Sequence, residues 1–460
     1  MISTRKQAFG DFEGWRVQVT PARSIATPAI WQDQVVFGGG FGSYEVYAVS
    51  AETGELDWEL HTTDDGPTAA TVIDGVAFVN TESCTLEAID IARGKALWHK
   101  WLGDPLLAQP AAMAGRVFMV WPGGGTHFLG AFALQTGEEL WRTEVPADVI
   151  SAPVATADRV WVTTFDGSLT CLDAATGKSL WTRQKRATSA PWVVGDDVYV
   201  AHRGQKTTRE RPPTGALRPD PASRDRARGG EEPRERIATL KAREGRESRA
   251  FRAKKAAYLG KQHGRDRKLL FLQEDASVGF GQAPSSAKMH LADDLIGEAS
   301  ISRAWRFQGS RPVVAQGLLF ETAGDHLEAT EIASGRVVWS WEDAKAYAGE
   351  RRLTPPAVAN GRLLVGTWDG RLVSFEAETG QVRWEVPVGA PVHWQPTMAN
   401  GRVFAGLEDG SVVCVHTGDP LHDGWSMWGG GPGHNGPVEA PRGDGARSTA
   451  RSEERRRNDA

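Results

Sequence analysis

Apolar residues along this chain fall in short runs closed by polar turns, and the pattern repeats. A proline opens an apolar strand in "ATPAIW" (Pro28), "AQPAAM" (Pro110), "SAPVAT" (Pro153) and "SAPWVV" (Pro191). It does so again in "SRPVVA" (Pro312), "PPAVAN" (Pro356) and "WQPTMA" (Pro396), and Ala69 fills the place in "PTAATVIDG". A turn follows, as at Asp74-Gly75 and Asn400-Gly401, and then a second strand such as "RVWVTT" or "RLLVGT". Another Asp-Gly turn, at Asp166, Asp369 or Asp409, suits a tight hairpin. A third strand such as "SLTCLD" ends at a Thr-Gly turn, and a tryptophan opens a fourth strand, "WRTEV" or "WEVPV".

The turn glycine gives an independent count. It stands at Gly54, Gly94, Gly137, Gly177, Gly335 and Gly380, with a partial copy at Gly418 and a degraded one, "KAREGRESR", at Gly245. Both markers occur eight times, at an ordinary spacing of about 40 residues, the length of a four-stranded propeller blade. The pattern predicts an all-β chain: an eight-bladed β-propeller of four-stranded antiparallel blades over residues 15–435. Glycine permits positive φ at the turn. Trp58, Trp98, Trp141, Trp181, Trp339 and Trp384 sit at a fixed place in each unit and read as wedges that dock blade on blade. "GWRVQV" (Gly14 to Val19) resembles a fourth strand with no third strand before it, so it is expected to complete the last blade and remove the open edge.

The "LDAATGKSLW" repeat resembles the signature of the PQQ-like β-propeller superfamily, and so does the segment "WSMWGGGPGHNGP" (Trp425 to Pro437). That superfamily includes quinoprotein alcohol and glucose dehydrogenases and the non-enzymatic BamB-type outer-membrane assembly factors. The resemblance implies eight blades and tryptophan docking. Its enzymes carry an adjacent cysteine pair over the quinone, and a Ca²⁺ near a catalytic Asp. Here Cys84, Cys171 and Cys414 are far apart, no CxxCH is present, and no acidic cluster resembles the Ca²⁺ site. The cysteines read as small buried strand residues.

Other chemistry is equally sparse. There is no phosphate loop, no GxSxG and no HExxH. "GGGFG" and "GGGPG" lack a lysine, and His422 and His434 lack a third partner for a metal. No catalytic residue, metal or cofactor is assigned; PQQ is the cofactor of the alternative, oxidoreductase reading. If a small ligand binds, residues just before the repeat prolines approach one mouth of the channel, and Gln109, Arg311, Trp394 and Gln395 are those able to stack or hydrogen-bond.

Charge changes the picture at one place. Pro191 to Pro312 spans about three units, so some 80 residues are inserted at blade five, taken as residues 203–304 and mostly disordered. Within it "AWRFQG" (Ala304 to Gly309) resembles a fourth strand. Residues 203–268 hold 21 Lys and Arg against 9 Asp and Glu, a net +12 that leaves −17 on the rest of a chain of net −5. Such an arm suits anionic partners, RNA or lipid among them, but no aromatics interleave before Phe251. Residues 440–460 form a charged tail, expected to be disordered. The first residues show no apolar leader and no stretch is long enough to span a membrane, which reads as cytoplasmic, or as envelope if the true start lies upstream. The expected function is a non-catalytic, monomeric propeller that binds protein partners as a scaffold.

Overall fold

The structure, a computed structural model, describes residues 1–40, 42–81, 83–103, 108–123, 126–145, 152–164, 168–184, 190–202, 205–210, 312–323, 326–343 and 353–436. Every regular element among them is a β-strand, and all pairing within sheets is antiparallel up-and-down. Six sheets have four strands, and the closing sheet has five. Among the described residues this gives seven full blades of a propeller, not the eight that the repeat predicts. The remaining sheet, fifth in chain order, has three strands among the described residues: Trp192–Val194, Asp197–His202 and Gln205–Glu210. Numbered along the chain, the sheets begin with inner strands Ala29–Trp31, Thr71–Ile73, Ala111–Met113, Val154–Ala155, Trp192–Val194, Val313–Ala315, Ala357–Ala359 and Thr397–Ala399. At six of the eight junctions the inner strands of successive sheets lie side by side, around an axis.

Register corrects two details of the repeat. Thr71 pairs with Phe78 as Ala111 pairs with Phe118, so Ala70, not Ala69, stands where the other sheets have proline. In sheet five the third strand follows its hairpin at once, with Val198 opposite Glu210. Residues 205–210 therefore belong to the ring, not to an insertion starting at 203. Counting on from that register, the sequence equivalent of the turn glycine is Gly215 in "RPPTGALRP", and the docking tryptophan is replaced by Pro219. Gly245, the rest of the expected insertion and the tail at 440–460 lie outside the described residues.

The tryptophans explain the unit. Each stands across from a small residue of the third strand: Ala48 with Trp58, Ala88 with Trp98, Ala131 with Trp141, Cys171 with Trp181, Ala329 with Trp339 and Ser374 with Trp384. In all six the register slips by one residue just before the tryptophan. Such a bulge re-aims a side chain, and it leaves Leu97, Leu140, Leu180 and Val338 exposed on the outer rim. In four of the six the indole N–H then bridges to the next sheet. Trp58 donates to the Ile91 carbonyl, Trp98 to Leu134, Trp141 to Ala174 and Trp339 to Ala377, at 2.7–3.0 Å.

Closure is as the sequence predicts, with one addition. The strand Phe12–Val19 pairs with Ser411–His416 and completes the last sheet, and Trp15 donates to the Ala51 carbonyl of sheet one. Ile2–Phe9, unread as a strand from sequence, folds back on it as a fifth strand. Three buried arginines pin this side of the ring. Arg16 bonds Asp409, Ser411 and the Val388 carbonyl; Arg362 holds Glu376 and Asp419; Arg371 reaches Asp343, Asp369 and Glu385.

Candidate functional site at the central channel

The inner edge of each sheet faces the axis. The second residue of an inner strand points its N–H there, away from the second strand, and such a group needs a partner when buried. In six sheets the partner comes from Trp425 to Gly436. The amide of Met398 donates to the Trp425 carbonyl, Ile30 to Ser426 and Val72 to the Met427 sulfur. Ala112 donates to the Pro432 carbonyl, Ala155 to Gly433 and Val193 to the Asn435 side chain. The segment thus visits sheets eight, one, two, three, four and five in ring order. Gly429, Gly430 and Gly436, all at positive φ, let it fold on itself, with the Gly436 amide on the Gly429 carbonyl.

Side chains lock it in place. Trp425 stacks on Trp192 at 5.8 Å with an interplanar angle of 3°. Asn435 also donates to the Val193 carbonyl at 2.7 Å. His434 faces two carbonyl oxygens, Trp428 from Nδ1 at 2.9 Å and Pro110 from Nε2 at 2.7 Å. His422 is different. It meets the hydroxyls of Ser374 and Thr417, which suit a neutral ring, and burial pushes its pKa down to about 4.

The predicted rim residues are placed as follows. Gln395 is buried and braces the segment: its Nε2 donates to the Pro356 carbonyl and its Oε1 accepts from the Gly429 amide. Gln109, at the matching place in sheet three, is also buried, and its Oε1 has no partner among the described residues. Trp394 is half-buried with its indole on the Ser24 hydroxyl, and Arg311 lies outside the described residues. The structure therefore brings Gln395 to the central segment and leaves Trp394 to one side. Sequence reading noted the glycines of "WSMWGGGPGHNGP" but missed its role, because its partners lie up to several hundred residues away.

Among the described residues no three His, Cys, Asp or Glu side chains gather as a metal site. Cys171 and Cys414 are buried in strands, and burial drives the Cys171 thiol up to about 12. Cys84 is buried too, but in a turn at positive φ, not in a strand. Burial raises the Cys414 thiol well above its ordinary value too.

A family profile described as outer membrane protein assembly factor BamB (PQQ_2) matches residues 10–105, 82–249 and 323–428. The chain belongs to that family. Among individual proteins, BamB of Moranella endobia is 27% identical over 178 residues, 35% of this chain and 45% of that protein. BamB of Burkholderia pseudomallei is 35% identical over 109 residues, 21% of this chain and 26% of that protein. The dehydrogenase subunit of a quinone alcohol dehydrogenase from Gluconobacter oxydans is 24% identical over 125 residues, 24% of this chain and 16% of that protein. The alignments span less than half the length of these relatives. The crystal structure of BamB from Moraxella catarrhalis superposes with a TM-score of 0.55 at 16% identity, covering 90% of this chain and 99% of that one. At that identity the PQQ_2 likeness to a solved structure speaks for the fold.

Proposed function

We propose that the protein is a non-catalytic scaffold of the cell envelope that binds a protein partner, as the name of its BamB relatives implies for them. The observation that carries this reading is the filled axis: the chain's own Trp425–Gly436 segment takes the inward amides of six inner strands. The names of the BamB relatives favour an envelope site over the cytoplasmic one read from the first residues. The quinone dehydrogenase match supports a second reading, a divergent quinoprotein. For that reading the residues present fit poorly, since the cysteines are dispersed and the inner ring is occupied by peptide. The test is a titration with PQQ and Ca²⁺, read by tryptophan fluorescence and by dye reduction with an alcohol. No response is expected; quinone-dependent dye reduction would overturn the scaffold reading. A photo-crosslinker placed at exposed Trp101 is expected to trap one discrete protein in envelope preparations.

A further inference from the structure

The Trp425–Gly436 segment holds the inner strands in two chemically different ways. Met398, Ile30, Ala112 and Ala155 donate to its main-chain carbonyls, which are chemically inert. Val72 and Val193 donate to side chains, those of Met427 and Asn435. Met427 is 2% exposed, whereas Asn435 is half-buried and within reach of water. Asn435 is also followed by glycine. In an Asn-Gly pair the next amide nitrogen can attack the side-chain carboxamide, because glycine has no Cβ to hinder the approach.

The closed structure keeps both partners of that reaction occupied. The carboxamide spans one residue of sheet five: Oδ1 accepts from the Val193 amide and Nδ2 donates to the Val193 carbonyl, both at 2.7 Å. The nucleophile, the Gly436 amide, is bonded to the Gly429 carbonyl at 2.7 Å. Gly436, at φ 108°, is packed against Gly430 and Trp192. The carboxamide must leave Val193, and the Gly436 amide must leave Gly429, before the two can meet. Local opening of that kind costs less than global unfolding.

We propose that Asn435 is a hydrolytic modification site, gated by this opening, and that its reaction permanently removes the attachment of the axis segment to sheet five. The inference is independent of the scaffold reading. The Gly436 nitrogen bonds to the Asn435 Cγ and the Cγ–Nδ2 bond breaks. Ammonia leaves, taking the proton of the Gly436 N–H, and a five-membered succinimide remains. Solvent water then opens the ring, and nothing is oxidised or reduced. Cleavage between Cγ and the Gly436 nitrogen gives aspartate. Cleavage at the main-chain carbonyl gives isoaspartate, with the chain running through Cγ.

Neither product restores the contact. An ionised carboxylate only accepts, so aspartate sets an oxygen against the Val193 carbonyl where Nδ2 donated. Isoaspartate lengthens the main chain by one carbon where Gly436 lies tight against Gly430 and Trp192. Val193 is 7% exposed, so the loss leaves buried main-chain groups without their partner.

The test keeps full-length protein warm in mildly alkaline buffer and follows deamidation by mass spectrometry of its peptides. Asn360 and Asn400, which also precede glycine but lie in exposed turns, are internal references. An amidated peptide of Gly430 to Gly436 gives the unprotected rate. Asn435 is expected to react at least tenfold more slowly in the protein than in the peptide, and to speed up in urea well below the unfolding transition. The protein fraction modified at Asn435, and separately the variant Asn435→Asp, are expected to exchange the Val193 amide with solvent at least tenfold faster than wild type. The outer-strand Trp141 amide should not change. A rate in the protein equal to that in the peptide, or one indifferent to urea, would overturn the proposal. So would a Val193 amide that exchanges at the wild-type rate in both altered forms.

Discussion

At the scale of single residues, the turn glycines serve two needs that one substitution separates. All six full copies have positive φ, and among the described residues five of them lie against a tryptophan. Asparagine accepts the backbone at each site, so any difference between sites reports the contact. Gly177→Asn forces the Trp141 ring away and is expected to cost about 1–3 kcal/mol in urea unfolding. Gly335→Asn, with no described residue within 4 Å of the added Cβ, is expected to cost under about 1 kcal/mol. Equal losses would mean that the turn alone matters. His422 makes a second case. An unfolded histidine titrates at 6.5, and in the fold this one is held at about 4 by burial. Between those values the unfolded chain binds more protons, so the contribution is whole above about pH 6.5 and is lost as pH falls toward 4. It is worth at most about 3 kcal/mol. His416 is shifted in the same direction, also by burial. Thermal melts from pH 7 to pH 4 are expected to fall more steeply for the wild type than for His422→Asn.

At the scale of elements, the arginine pins are the sharpest dependence on side-chain chemistry. Arg371 spans two sheets, with one guanidinium nitrogen on Asp343 after the outer strand of sheet six and another on Glu385 of sheet seven. Asp343 is 2% exposed, so removing the arginine takes a cationic partner from a buried carboxylate. Arg371→Ala is expected to destabilise by about 3 kcal/mol. Arg371→Ala with Asp343→Asn should recover part of that, and a double-mutant cycle measures how much. Strand order, turn chemistry and the docking tryptophans were legible because each is local: a proline, an Asp-Gly, a Thr-Gly and a Trp fall within one unit. The bulge before each tryptophan was not, since the residue it extrudes is leucine at three sites, valine at one and charged at two. Sheet five was misread because its third strand, "QKTTRE", is polar and is soon followed by two prolines, at the places of Ala174 and Ala175 in sheet four. The eye passes to Gly245, while the strand pairing points to Gly215.

At the scale of the whole molecule, the ring is held at both radii: outside by tryptophans between neighbours, inside by one segment touching six sheets. A closed ring has little use for a ligand at its axis when its own chain lies there, and the scaffold reading draws its force from this. The inner strands are only two or three residues long, too short to be secure on their own pairing. Their protection should therefore depend on the segment. A chain ending after Gly436 keeps every described contact, and a chain ending after Gly424 loses those of Trp425 to Gly436. The shorter chain is expected to melt lower, and its Ile30, Ala112 and Ala155 amides should exchange with solvent far faster, while outer-strand amides such as Trp141 change little. If exchange rises evenly through all sheets, the segment supports global stability without specifically protecting the inner edges. If neither melting nor exchange changes, the axis is held by the sheets alone and the segment is free to yield its place to a ligand.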